Sequence, residues 1–316
     1  MAKARGKIVV AFGGNALQDG KGPATAEAQL EVVKKTCEYI VGLVEREYEI
    51  AVVHGNGPQV GRLLLASEAA KDITPVLPFD VLGAMSQGYI GYHIQQGLRE
   101  VLRAKIRDIP VVTLITQVIV DKDDPAFNNP TKPIGSFHTE EEAKALMAEK
   151  GYLMKEDAGR GWRHVVPSPR PQRILEIDTV KRLWDSTIVI TAGGGGIPVI
   201  EREDGTLEGI DAVIDKDFAA ELLAEQLDAD ILIILTEVEK VSLNYNKPNQ
   251  TDLQEITAEM AEKYIEEGHF AAGSMLPKVQ AGVKFVKNKK NRKTIITSLY
   301  KVIDALDGTT GTTIIA

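Results

Sequence analysis

Aliphatic runs of strand length, most of them β-branched and apolar throughout, alternate along the chain with longer segments of helical periodicity. The runs are KIVVAF (7–12), IAVVH (50–54), PVVTLITQVIV (110–120), TIVITA (187–192), ILIILT (231–236), TIITS (294–298) and TTIIA (312–316). A strand without a polar face must be covered on both sides, as strands of a parallel sheet are between helical layers. Segments 25–47, 82–105, 216–227 and 273–288 supply that cover. The alternation predicts an α/β fold, a three-layer sandwich around a largely parallel open sheet. At 316 residues, 44% of them hydrophobic, the chain can fill such a core.

Residues 121–171 break the rhythm. They are rich in Pro, Gly and charge, with a short helical piece between β-like pieces, and predict a small protruding α+β lobe inserted after a sheet strand. Few apolar runs and many turn residues make this lobe a candidate cover that closes on ligand. No apolar run approaches the roughly 20 residues that span a bilayer, and MAKARGK leads into a strand rather than a signal-peptide core. The expectation is a cytoplasmic protein without a membrane partner. A net charge of −8 argues against a nucleic-acid partner. Cys37, the single cysteine, has no disulfide partner and reads as a small core residue. The basic run KNKKNRK (287–293) reads as a solvated helix end.

Glycines punctuate three strand-to-loop junctions: AFGGNA (11–16), HGNGPQVG (54–61) and TAGGGGIPV (191–199). In an open α/β sheet the crevice beyond the carboxyl ends of the strands takes ligands, and glycine there lets backbone N–H groups approach an anion. One such loop is ordinary turn chemistry, but three at equivalent positions point to an anion site. The chain carries neither G-x-G-x-x-G nor G-x-x-x-x-G-K-[ST], and neither an H-R-D nor a D-F-G motif. Cations for the site are offered elsewhere. Lys132 lies between prolines in NPTKPIG, Lys216 lies between Asp215 and Asp217 where a strand enters a helix, and Lys278 follows GSMLP at a helix start. Proline and glycine stiffen the supports of Lys132 and Lys278, and the flanking carboxylates would keep Lys216 charged and oriented.

Taken in order, GGNA, HGNGPQVG, GAMSQGYIGY, DPAFNNPTKPIG, KEDAGRGWRHVVPSP, GGGGIPV, AVIDKDFAAELLA, ILTEV and GHFAAGSMLPKV resemble the carbamate kinases of the amino-acid kinase superfamily. The chain departs from that pattern at Phe12, where leucine is usual, and at GSFH (135–138), where GPF is usual. The resemblance implies one amino-acid-kinase-type domain over 1–316. Its N-terminal half, about 1–190 with the 121–171 lobe, would bind carbamate and carbamoyl phosphate, and its C-terminal half, about 191–316, ATP or ADP. It implies reversible phosphoryl transfer from carbamoyl phosphate to ADP, with Mg²⁺ held by nucleotide phosphates and water rather than by a protein metal site. It also implies a homodimer and a place in fermentative arginine breakdown through the arginine deiminase pathway. Carried over by motif, Lys132, Lys216, Lys278 and Asp217 would be catalytic. Gly13, Gly14, Asn15, Gly55, Asn56 and Gly57 would line the phosphoryl group and carbamate. Gly194, Gly195, Thr236, Val238, Tyr245 and Met275, with Lys216 and Lys278, would hold the nucleotide.

That chemistry suits the residues. The nucleophile in either direction is an oxygen that is already ionised, so positioning and charge neutralisation are needed and a general base is not. Two rivals are a sibling kinase of the acetylglutamate kinase kind and a non-catalytic nucleotide sensor. The sensor is disfavoured because every motif lysine and glycine is intact. The sibling would need a cationic grip on a second carboxylate, yet neither GGN nor HGNG contains arginine; Arg62 lies beyond, on the following helix.

Overall fold

The computed structural model describes residues 4–17, 22–23, 25–105, 108–157 and 159–316. The chain opens with β1 (Gly6–Phe12), α1 (Ala26–Glu45), β2 (Tyr48–His54), α2 (Gly57–Ala69), α3 (Phe79–Ala104), β3 (Val111–Thr113) and β4 (Gln117–Val120). Next come β5 (Lys132–His138), α4 (Glu140–Lys150), β6 (Met154–Glu156), β7 (Trp162–Val166), β8 (Pro171–Ile174), α5 (Ile177–Trp184), β9 (Ile188–Ile190), β10 (Ile197–Glu201) and β11 (Leu207–Gly209). The remainder is α6 (Lys216–Gln226), β12 (Ile231–Thr236), β13 (Ser242–Leu243), β14 (Thr251–Asp252), β15 (Glu255–Thr257), α7 (Ala258–Glu266), α8 (Met275–Lys287), β16 (Lys293–Ser298), α9 (Val302–Leu306) and β17 (Thr312–Ile315).

Eight strands form the main sheet in the order β15-β17-β16-β12-β1-β2-β9-β3. All its pairings are parallel except that of β16 with β17. The apolar strands have two buried faces because the side-chain period is two. Ile8, Val10 and Phe12 pack on one side with α1 and α3 residues such as Ile40 and Leu98. Val9 and Ala11 pack on the other with α6 and α8 residues such as Leu223 and Phe285. The three-layer sandwich expected from the sequence is therefore present. Phe12 is fully buried, so the core on that side accommodates the aromatic ring.

The run 110–120 is two strands in two sheets, not one. β3 ends the main sheet, whereas β4 joins a four-stranded sheet of order β11-β10-β4-β8. The buried Gln87 carboxamide takes both main-chain groups of Thr116, accepting from its N–H at 2.8 Å and donating to its C=O at 3.1 Å. With both groups satisfied by a side chain, the backbone can leave the ladder between β3 and β4. The basic run at 287–293 also differs from expectation. Arg292 is buried over the Phe285 ring and donates to Asp228 at 2.9 Å, so only part of that run is solvated. Burial pushes the Cys37 thiol pKa up, consistent with a core role.

Within 121–171, β5, β7 and β6 form a three-stranded antiparallel sheet beside α4, as an α+β lobe requires. Ile134 and Val166 of the lobe pack with Val60, Leu82 and Val213 of the body. At GSFH, Phe137 lies under the guanidinium groups of Arg160 and Arg163, at 5.0 and 5.1 Å. Among the described residues no helix is long and apolar enough to cross a membrane.

Candidate active site

Strands β1, β2 and β12 are parallel and in register, Phe12 opposite His54 and Ala11 opposite Ile234. The loops after Phe12, His54 and Thr236 therefore leave the sheet along one edge. Lys216, the first residue of α6, reaches between the first two. A Cβ on Gly13 would lie 3.5 Å from its Cε, and one on Gly55 3.3 Å from its Cδ. Glycine at both positions leaves room for this lysine. Gly57 faces the lobe, its Cβ direction 3.8 Å from the carbonyl of Pro133. Gly14 lies nearest Pro58. The side chain of Asn15 lies outside the described residues.

Two carboxylates gather the lysines. Asp217 accepts from Lys216 Nζ at 2.6 Å through Oδ1 and from Lys278 Nζ at 2.9 Å through Oδ2. Asp215 accepts from Lys132 Nζ at 2.6 Å through Oδ2, and its Oδ1 caps α6 by accepting from the Asp217 N–H at 2.9 Å. The structure thus brings Lys132, Lys216, Lys278 and Asp217 into one cluster. From the sequence, Asp215 was expected to flank and orient Lys216; it takes Lys132 instead and links the lobe to α6.

Burial dominates the electrostatics of the cluster. It works to raise both aspartate pKa values, but the neighbouring ammonium groups outweigh it and hold Asp215 and Asp217 below the usual carboxylate range. The lysines share Asp217 and shift in opposite directions. For Lys216, burial and the nearby Lys278 charge outweigh Asp217, so its pKa falls. For Lys278, burial also works downward, but the attraction of Asp217 and Asp215 raises it overall.

Helix ends add further donors. α2 begins at Gly57 after Asn56 and α8 at Met275 after Ser274, in both cases without a side-chain cap. At α2 the N–H groups of Gly57 and Gln59 are left for solvent or an anion, Pro58 having none; at α8 that of Met275 is left, because Leu276 donates to the Ala271 carbonyl at 3.0 Å and Pro277 has none, and the positive helix ends favour an anion.

The Gly193–Gly196 turn packs tightly from below. A Cβ on Gly193 would overlap the His54 ring, one on Gly194 the Asn56 amide, and one on Gly195 the Ile214 carbonyl. Gly194 and Gly195 are buried, so close packing accounts for both. Thr236 and Val238 are half-buried at the end of β12, Met275 is half-buried at the start of α8, and Tyr245 is 53% exposed. No hydrogen bond among the described residues ties these four to the lysine cluster.

Reading for charge and glycine missed the buried polar groups beneath the loops. His54 is buried with Nδ1 2.9 Å from the Gly55 carbonyl, and burial lowers its pKa to about 4, so it is neutral at neutral pH. Gln87 donates to the Gly193 carbonyl at 2.9 Å, and Thr116 shares a hydroxyl hydrogen bond with Thr191 at 2.8 Å. Ser86 accepts from Asn56 Nδ2 at 2.8 Å. The signal available was GAMSQG, a polar pair among small residues of a long amphipathic helix, which reads equally well as surface.

Residues 6–298 match the amino acid kinase family. A carbamate kinase from Clostridium perfringens is 57% identical over 284 residues, covering 89% of this chain and 90% of that protein. One from Pyrococcus horikoshii is 53% identical over 285 residues, at 89% and 90% coverage. A solved carbamate kinase from Giardia lamblia bound to AMP-PNP superposes with a TM-score of 0.90 at 44% identity, covering 100% of this chain and 99% of that one. Similarity at this level over nearly full length shows that the chain belongs to the amino acid kinase family and, within it, to the carbamate kinases.

Proposed function

We propose that the chain catalyses reversible phosphoryl transfer between carbamoyl phosphate and ADP, giving ATP and carbamate. The observation that carries this reading is the convergence of Lys132, Lys216 and Lys278 on Asp215 and Asp217, beside two glycine loops on one sheet edge. Two anions must approach in line, and ammonium groups with backbone N–H donors offset their repulsion. Lys216, set between Gly13 and Gly55, would meet the transferring group. Lys278 would reach the nucleotide phosphates, and Lys132 would bring the lobe's charge over the acyl phosphate. Asp217 would hold its two lysines in place. His54, neutral and hydrogen-bonded to its own loop, is not needed as a base, because the attacking oxygen is already ionised. Gly13, Gly14, Asn15, Gly55, Asn56 and Gly57 would surround the carbamoyl group. Gly194, Gly195, Thr236, Val238, Tyr245 and Met275 would flank the nucleotide in the C-terminal half.

Mg²⁺ fits this donor set when carried on the nucleotide. Each carboxylate oxygen of Asp215 and Asp217 already accepts from an ammonium or N–H group. On the phosphates it would screen negative charge that the lysines meet from the protein side. A cytoplasmic homodimer that makes ATP in arginine breakdown accords with the family. The dimer face we favour is the groove of about 880 Å³ along α3 and the edge strand β3, where Tyr92 and Ile115 are 62% and 47% exposed. Purified protein supplied with ADP, Mg²⁺ and carbamoyl phosphate should form ATP, and N-acetylglutamyl phosphate should not replace carbamoyl phosphate. Comparable rates with the two would overturn the assignment.

A further inference from the structure

We infer that Ser86, which touches no reacting group in this reading, sets the site's preference for an acyl phosphate bearing an N–H group by fixing which way round the Asn56 carboxamide sits. The inference rests on the proposed function and deepens it.

Ser86 is completely buried on α3, and its hydroxyl donates to the Gly83 carbonyl at 2.6 Å. A hydroxyl has one proton, and a carbonyl can only accept, so that proton is committed. Toward Asn56, at 2.8 Å, Ser86 Oγ can therefore only accept. The amide must turn Nδ2 to Ser86, since the opposite orientation would set two lone pairs against each other. Electron density alone rarely distinguishes the two ends of an amide, but this relay does. The remaining end, Oδ1, accepts from nothing among the described residues and is presented as an acceptor.

Asn56 cannot easily avoid this role. It is 6% exposed, its amide rests on Gly194 where any Cβ would overlap it, and its neighbours Gly55 and Gly57 face Lys216 and Pro133. An acceptor fixed in an anion site is an unusual element, because the phosphoryl and carboxylate groups offer it nothing. It matches a substrate that carries its own N–H donor next to the acyl carbon. Carbamoyl phosphate has that NH₂, whereas acetyl phosphate has a methyl group in its place and would leave Oδ1 desolvated without a partner.

Ser86→Ala removes the hydroxyl with little change in volume and frees the amide to turn. The expected result is a loss of about tenfold in kcat/KM for carbamoyl phosphate, carried mostly by KM, with acetyl phosphate altered less than about twofold. The selectivity ratio would then fall by about tenfold. In the Asn56→Ala background the same serine substitution should add nothing, because its effect passes through the amide. If Ser86→Ala does not fold, Ser86→Cys, whose sulfur is a poor acceptor, carries the same expectation. Wild-type protein that forms no ATP from carbamoyl phosphate would defeat the functional reading itself. An active wild type with an unchanged selectivity ratio in the serine variant, or additive losses with Asn56→Ala, would overturn the inference and leave the function standing.

Discussion

Gly61 of α2 and Gly135 of β5 meet backbone to backbone, so closely that a Cβ on Gly61 would overlap the Cα and N of Gly135. Gly135 itself has φ +69°, a conformation that disfavours any side chain there. The lobe is thus seated on the helix that follows the HGNG loop, and Lys132, on the same strand as Gly135, ties it to Asp215. Gly61→Ala should lower stability by about 1–3 kcal/mol through overpacking, read as a drop in the denaturation midpoint. Because β5 carries Lys132, activity should fall with it.

The same seating shapes how the lobe can close. Amides of 132–138 and of the first turns of α2 should gain hydrogen-exchange protection together when ADP and a phosphoryl analogue are added. Unchanged protection in both segments would rule out a moving cover.

Lys216→Ala should reduce kcat by about a hundredfold or more with the fold retained, as loss of an electrostatic stabiliser does. Lys278→Ala should in addition weaken ADP binding. Asp217→Asn should behave differently: with two buried ammonium groups left short of counter-charge, stability should drop by about 3–5 kcal/mol. Steady-state kinetics beside thermal denaturation separate the two kinds of loss.

Two buried groups give opposing pH dependences. Glu221 is 1% exposed, and burial outweighs its 2.7 Å contact with half-exposed Lys284, raising its pKa from 4.5 to about 7. Through that window the native state keeps a proton the unfolded state has lost, so stability falls as pH rises. His54, lowered from 6.5 to about 4, does the reverse: the unfolded state takes up the proton first, so stability falls as pH drops from 6.5 to 4. Each shift of about 2.5 pH units corresponds to about 3 kcal/mol, so Glu221 offsets His54, while His93 and His164, also lowered by burial, add to the histidine side. Glu221→Gln should remove the offset, so that stability rises by about 3 kcal/mol more than in the parent between pH 4 and 6.5. Denaturant melts across that range should rise more steeply with pH for the variant than for the parent.

Substituting Ile115, just beyond edge strand β3, with glutamate should dissociate the proposed dimer while leaving the lysine cluster untouched. Light scattering on the purified variant would report the mass of one chain instead of two, and an unchanged mass would place the interface elsewhere.

Much of this protein was legible in its sequence because the signals are local. Continuous β-branched runs can only be strands covered on both faces, glycine between strand and helix marks the ligand edge, and prolines around Lys132 show a cation on a stiff support. Cys37 was correctly placed in the core on composition and pattern alone. What the sequence could not determine are relations between distant segments. The run 110–120 looks continuous, yet Gln87 of α3 satisfies Thr116 and sends its two ends into different sheets. Asp215 and Asp217 flank Lys216 in sequence, but which lysine each one holds depends on Lys132 and Lys278, 83 and 61 residues away. Ser86 reads as a small helical residue until tertiary packing sets it beneath Asn56. Local periodicity reports what each segment must bury. Hydrogen-bond direction and charge pairing arise only when segments meet, so tertiary structure decided them.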